Sequence, residues 1–397
     1  MKKLLRYNLI ILFLAVIFTI PTLTFIYRNT SISQIENRTL ATAPVFSKEV
    51  LFSGEYFREW ENYLSDHIYA RDYWIKSYTF LNMFLLDKNK INNIVIGEEG
   101  TLLPFYTDEL NQDLQMYLSN IPKMTDNIKK LNSSIKEYGG KFCFVGVPGQ
   151  SSFFRERYPS YFSNNDEYFM ENERYMFSEL SRKEISYINM NEKFNNTANN
   201  DFYLKTDHHY SFTGAYQTYK EIINKLIEDF NFKLRLPLTE TDMTINTLPN
   251  PILGSRNRQI YFLYPTDEKV KISFPNEKIS YEKTTNGEVD PKFYYISENP
   301  YERPSYGVYM GGDQAETIIK TNRNELPNLL IFGDSFTNAL EPLLYYHFNE
   351  TRILDLRHFK QMSLYDYIEK YKPDVVLMIR DDLNYGNLQG NGKFDGY

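Results

Sequence analysis

The chain has 397 residues, enough for one large or two modest domains, each with a proper core. Its net charge of −7, with acidic and basic residues interspersed, excludes the basic face that a nucleic-acid binder presents. Cys143 is the only cysteine, so no intrachain disulfide can form, and within the apolar run KFCFVGV it reads as a small core residue.

The first element in chain order is apolar. A basic start, MKKLLRYN, precedes the 19-residue uncharged run LIILFLAVIFTIPTLTFIY at 9–27. At ~1.5 Å per helical residue this run spans a hydrocarbon core of ~30 Å. Lys2, Lys3 and Arg6 lie before it and Arg28 after it, an excess that keeps the N-terminus in the cytoplasm. No small-x-small cleavage signal follows, so residues 1–29 read as a cytoplasmic stub and an uncleaved transmembrane anchor, with a cleaved signal peptide as the alternative. In either case residues 30–397 face outward, extracellular or periplasmic. A disulfide-free exported chain of this kind suggests a bacterial cell surface.

The segment 30–52 reads as a polar linker, and 54–86 carries aromatic and aliphatic residues at helical spacing. Residues 91–103 read as two strands about a glycine turn, and 108–138 as a long amphipathic helix closed by Gly139-Gly140. The run 141–148 is short, continuous and apolar, as in a strand buried on both faces. A helix at 166–182, a strand at 185–190 and a helix at 212–230 follow. Later come strands at 328–333, 352–356 and 374–379, with helices near 337–347 and 363–371. This alternation predicts a three-layer α/β/α domain with a parallel sheet. The intervening 235–320, with Pro, Asn and charge punctuation around QIYFLY and KVKISF, reads as an inserted β-rich subregion.

Two stretches carry chemistry. In LLIFGDSF, Ser335 follows a buried strand at the start of a predicted helix, where open α/β sheets bind ligands. Gly333 lets the strand end bend, Asp334 orders the turn, and the first helical N–H groups are able to hold an oxyanion. Gly-Asp-Ser is equally an ordinary turn and N-cap. In TDHHYSFTGAY, Asp207, His208 and His209 sit before a helix. A serine hydroxyl needs a general base such as histidine, and the histidine needs a carboxylate to fix its tautomer. The competing readings are a helix cap with two exposed histidines, or a Zn²⁺ site. The latter is disfavoured because adjacent histidines rarely converge on one ion and His67, His347 and His358 form no ligand-spaced array.

The sequence TDHHY resembles the Asp-His-His-Trp signature of the bacterial DHHW family, with Tyr210 in place of the tryptophan. That family in turn resembles the alginate O-acetyltransferases of the SGNH/GDSL hydrolase superfamily. ENRTLATAP, NIVIGEEGTLL, YMGGDQAETIIKT and LLIFGDSF extend the resemblance over most of the exported chain. It implies an SGNH-like domain over 30–397, with Ser335 as nucleophile, His209 as base and Asp207 as the orienting acid. His208, Tyr210 and Asp334 are supporting residues on this view. The Ser335 N–H is the expected oxyanion donor, and Gly312 and Arg380 are further candidates. The Asp and His precede the serine here, opposite to the usual SGNH esterase order. Triads depend on geometry and not on chain order.

The implied activity is O-acetylation of a secreted or cell-surface polysaccharide through an acyl-enzyme. A multipass membrane acyltransferase would supply the acetyl group, and neither a metal nor a cofactor is required. The alternatives are a polysaccharide acetylesterase, in which water replaces the sugar acceptor, and a non-catalytic glycan-binding or assembly subunit.

Overall fold

The computed structural model describes residues 2–27, 31–33, 35–36, 38–46, 51–197 and 201–396. Arg28 and the expected boundary at 29/30 lie outside the described residues. The chain divides into two compact units, Met1–Asn92 with Arg258–Leu263, and Asn93–Asn257 with Tyr264–Tyr397.

The first unit is helical. Helix α1 (Lys2–Tyr27) contains the apolar stretch Tyr7–Tyr27, whose mean hydropathy of 2.7 and length suffice to cross a membrane. Its distal end meets the turn between two further helices, where the Tyr69 N–H donates to Thr24 Oγ1 at 2.9 Å. The pair comprises α2 (Glu55–His67) and α3 (Arg71–Phe80), the second continued by one π turn, Leu81–Leu85. Ion pairs fasten this unit: Arg38 bonds both Glu36 and Asp66, and Arg71 bonds Glu36. The Arg38 hydrogen bonds hold the Asp66 carboxyl down at about 2.

The second unit is built on an eight-stranded sheet. Its strands in chain order are β1 (Lys141–Val147), β2 (Tyr187–Asn189), β3 (Glu282–Thr285), β4 (Glu288–Val289), β5 (Glu316–Lys320), β6 (Leu329–Gly333), β7 (Glu350–Leu354) and β8 (Val375–Asp381). Across the sheet the order is β4-β3-β5-β7-β6-β8-β1-β2. The five strands from β7 to β2 are parallel, whereas every pairing along the edge, β7 with β5, β5 with β3 and β3 with β4, is antiparallel. The sheet is therefore mixed, and not parallel throughout.

Alternation along the strands explains the layers. Cys143, Val145, Ile331, Leu377 and Ile379 point into one core, while Phe144, Phe332, Val376 and Met378 point into the other. The second core is covered by α4 (Asp108–Glu137), α5 (Asp166–Arg182) and α7 (Leu364–Tyr371). The first is covered by α6 (Phe212–Glu228) and the antiparallel pair Met243–Pro251 and Lys269–Pro275. Buried Ile121, Ile128, Leu131 and Ile135 recur every three, four or seven residues on α4, which is why that helix forms against the sheet.

Two sequence expectations need correction. The segment 235–320 is β-rich, but three of its strands extend the main sheet, and QIYFLY is a turn following the short helix Ser255–Gln259. The predicted helix near 337–347 is only one α turn, Glu341–Leu344, between the 3-10 turns Ser335–Thr337 and Tyr345–His347. Pro342 at the second position bars extension toward the N-terminus, and Tyr345, Tyr346, His347 and Phe348 after it have only modest helix propensity.

Candidate active site

The serine turn begins where β6 meets β8. A Cβ on Gly333 would lie 2.0 Å from the Ile379 carbonyl oxygen, so only glycine permits the two strands to approach here. The Asp334 N–H donates to that same carbonyl at 3.2 Å. Ser335 then opens the 3-10 turn, so it is not at the head of a regular helix and the expected helix dipole is reduced to a single turn. The Asp334 carboxylate turns inward, 3.2 Å from Arg380 Nε and 3.4 Å from the Asp381 N–H.

The Asp-His turn precedes α6, whose N-cap is Ser211 and not Asp207. That leaves the Asp207 carboxylate for His209. Its Oδ1 lies 2.6 Å from His209 Nδ1 and accepts the His209 backbone N–H at 3.0 Å. Its Oδ2 accepts the Ser255 N–H at 2.7 Å. Burial alone would raise this carboxyl, but the charge and hydrogen bond of His209, with His208 and the Ser255 N–H, hold it well below the ordinary range. His209 Nε2 lies 2.7 Å from Ser335 Oγ, so the carboxylate, imidazole and hydroxyl form one chain of hydrogen bonds. Asp207 and His209 are both buried.

Neighbours fix the imidazole. The Tyr306 ring stacks on it with centroids 3.8 Å apart and planes 5° apart. His208 covers another side, its centroid 3.7 Å away, and its Nδ1 lies 2.6 Å from Ser255 Oγ. Buried Tyr210 donates its hydroxyl to the Phe336 carbonyl and so ties the histidine turn to the serine turn. The Ser255 segment is itself pressed against the aspartate turn: a Cβ on Gly254 would lie 2.1 Å from the Thr206 carbonyl oxygen.

Ser335 opens into a cavity of about 240 Å³, with Gln150, His208, Arg256, Arg357, Arg380 and Asn391 among its lining residues. Arg380 is buried, and its Nη2 donates to the Asn384 carbonyl at 2.6 Å. Its Nη1 is buried without a hydrogen-bond partner among the described residues, and Arg380 is one of the residues lining the cavity. Arg380 is thus an interior residue paired with Asp334, and not a surface residue paired with Asp381 or Asp382. Gly312 differs from its expected role. Its N–H donates to the Tyr309 carbonyl at 3.0 Å, and it lines a separate small pocket behind Asp334.

Asp207, His208 and His209 bring one ligand atom each within 4.8 Å of one another, as a metal site would. Both His209 nitrogens are already committed, one to Asp207 and one to Ser335. Such a ring has no lone pair left for an ion. Sequence reading did not single out Ser255, Tyr306 or Arg256. Only Gly254 gave any local signal, as a glycine that permits close backbone approach.

The chain is similar to known proteins in part of its sequence and in its fold. Residues 94–247 match the family described as the SGNH hydrolase-like domain, acetyltransferase AlgX; the match includes Asp207 and His209 and stops before Ser335. No curated protein matches the chain in sequence. Among solved structures, Bacillus cereus PatB1 with a sulfonyl adduct is similar at 25% identity and a TM-score of 0.63, covering 76% of this chain and 98% of that one. A DHHW family protein from Eubacterium siraeum shares the fold at 18% identity and a TM-score of 0.53, covering 78% of this chain and 97% of its own. Residues 94–247 are thus similar in sequence to the SGNH hydrolase-like domain of acetyltransferase AlgX, and the chain has an SGNH-like α/β fold with a mixed sheet.

Proposed function

We propose that this chain is a membrane-anchored O-acetyltransferase that acetylates a secreted or cell-surface polysaccharide outside the cytoplasm. The observation that carries the reading is the continuous hydrogen-bond chain Asp207–His209–Ser335, opening into a polar cavity in an acetyltransferase-type domain.

In this mechanism His209 Nε2 takes the Ser335 proton as Oγ attacks the acetyl carbonyl of the donor. Asp207 holds the other imidazole proton and stabilises the imidazolium. The Ser335 N–H and Arg380 Nη1 are the donors suited to the developing oxyanion. The donor's leaving group takes the proton from His209, and an acetyl-Ser335 ester remains. A sugar hydroxyl then gives its proton to His209 and attacks that ester, so the acetyl group passes to the polysaccharide and Ser335 recovers its proton. The Asn-rich and Arg-rich cavity wall suits a hydroxylated acceptor, and the apolar α1 suits an anchor that keeps the domain near a membrane-embedded acetyl donor.

The test uses the full chain in detergent with a chromogenic acetyl ester, alone and with oligosaccharide acceptors. The wild type should release the chromophore and give acetylated oligosaccharide by mass spectrometry. A sulfonyl fluoride should stop both, forming a sulfonate ester on Ser335 with loss of HF, and so add the mass of the reagent less HF to the Ser335 peptide. Ser335→Ala should lose at least ~10³-fold of the rate. Release without transfer to any sugar would make the protein an esterase. Glycan binding with no release by a folded wild type would make it a binding subunit.

A further inference from the structure

The outer face of the α2–α3 helix pair is inverted relative to an ordinary surface helix. Trp74, Tyr78, Leu81 and Leu85 recur at i, i+4, i+7 and i+11 along α3 and its π turn, and all four are exposed, Tyr78 by 61% and Leu85 by 69%. Tyr73, Phe80 and Phe84 widen the stripe, and on α2 Phe57 and Leu64, seven residues apart, are also exposed. Singly exposed apolar side chains are normal, but a contiguous patch of this breadth marks a surface that is covered in use. The charged residues on the other side of the pair are spent internally: Asp66 on Arg38 and Ala41, Arg71 on Glu36.

The position of the patch in the chain indicates what covers it. The patch continues directly from α1, the one described helix long and apolar enough to span a bilayer. The Tyr69 N–H bonds Thr24, and the Tyr69 ring packs on Tyr27 with centroids 5.5 Å apart, so the turn that joins α2 to α3 sits at the end of the span and α3 with its stripe leads away from it. Tyrosine and tryptophan with flanking lysines are the side chains that settle at the boundary of acyl chains and headgroups, and exposed Lys76 and Lys88 stand beside the stripe.

We infer that α2 and α3 lie in the outer headgroup layer of the membrane, with the Trp74-Tyr78-Leu81-Leu85 stripe buried in lipid. The inference rests on α1 being a membrane anchor, and on nothing about the Ser335 site. The first unit is then a two-part attachment, one helix across the bilayer and two along it.

The chain has two tryptophans, Trp60 and Trp74, so Trp60→Phe leaves Trp74 as the sole reporter. The full chain carrying this change is reconstituted in nanodiscs of phosphatidylcholine and phosphatidylglycerol. Trp74 should be quenched several-fold by lipids with a spin label just below the headgroup, and little by aqueous iodide. Adding Tyr78→Gln, Leu81→Gln and Leu85→Gln should reverse that preference while the chain stays in the disc. Strong iodide quenching with none from the lipid label would overturn the proposal and assign the stripe to a protein partner. A full chain that fails to float with vesicles would remove the anchor and the proposal together. In either case ester turnover at Ser335 is read separately, so loss of the docking surface and loss of the proposed chemistry are distinguishable.

Discussion

Tyr306 offers the sharpest test of how the base is held. Its ring lies flat on His209 at 3.8 Å, and its hydroxyl is buried without a hydrogen-bond partner among the described residues. The contact that matters is therefore the face of the ring. Aromatic pairs are worth about 0.5–1.5 kcal/mol beyond their buried area. If that energy keeps Nε2 aimed at Ser335 Oγ, its loss should lower kcat roughly 2- to 13-fold, since ~1.4 kcal/mol is a factor of ten. Tyr306→Leu removes the flat face while filling most of the space, and Tyr306→Phe keeps the face and removes an unsatisfied hydroxyl. The assay is turnover of a chromogenic acetyl ester, with kcat and KM separated and a thermal melt for each variant. The expected pattern is a fall in kcat with little change in KM for Tyr306→Leu, and wild-type kcat with equal or higher stability for Tyr306→Phe. Wild-type kcat in a folded Tyr306→Leu, or an equal loss in both variants, would refute the stacking argument.

Asp207→Asn keeps the shape of the turn but sets the imidazole in the wrong tautomer, and should cut kcat by about 10³–10⁴ while the melting temperature moves little; stopped-rate assays across pH measure it. Gly333→Ala forces a Cβ against the Ile379 carbonyl at 2.0 Å and should destabilise the domain by at least ~3 kcal/mol, seen in urea unfolding. Glu341 is buried beside Thr337, Lys283, Asp313 and Asp355, and burial pushes its carboxyl up to about 7 from a reference of 4.5. Between those values the unfolded chain releases this proton and the folded one keeps it. Stability should therefore fall as pH rises from 4.5 to 7, by roughly 3 kcal/mol from this group, and Glu341→Gln should abolish that component of the melting curve.

The periodic elements were legible. The α5 helix falls on the expected 166–182, because its buried Phe169, Asn172, Met176 and Leu180 are spaced for one helix face. The core strands were legible because both faces are apolar over short runs, as at 141–147. The antiparallel edge was not, because Glu282–Thr285 pairs with Glu316–Lys320 across thirty intervening residues, and nothing local to either strand records the pairing. The helix after Ser335 was overread, since apolar burial there comes from packing on all sides and not from an amphipathic period. At the site, Asp207, His209 and Ser335 could be named by residue type, but His209 and Ser335 are 126 positions apart and nothing in the chain between them signals that they meet. Ser255 and Tyr306 act through a backbone N–H and a ring face, and neither has a sequence signature. Arg380 was named as a candidate oxyanion donor, but its burial has no local signal, because an arginine at a strand end usually reaches solvent.

Tyr306 and Ser255 both come from 235–320, the region that reads in sequence as an accessory insertion. One stacks on the imidazole and the other steadies the carboxylate behind it. The region is therefore no detachable module. A shortened chain that spliced β6 directly after α6 would keep every residue of the Asp-His-Ser set and lose the clamp on two of them. Exchange between related chains should move 206–335 as one block, with the hydroxyl, the imidazole and the intervening β-rich segment inherited together.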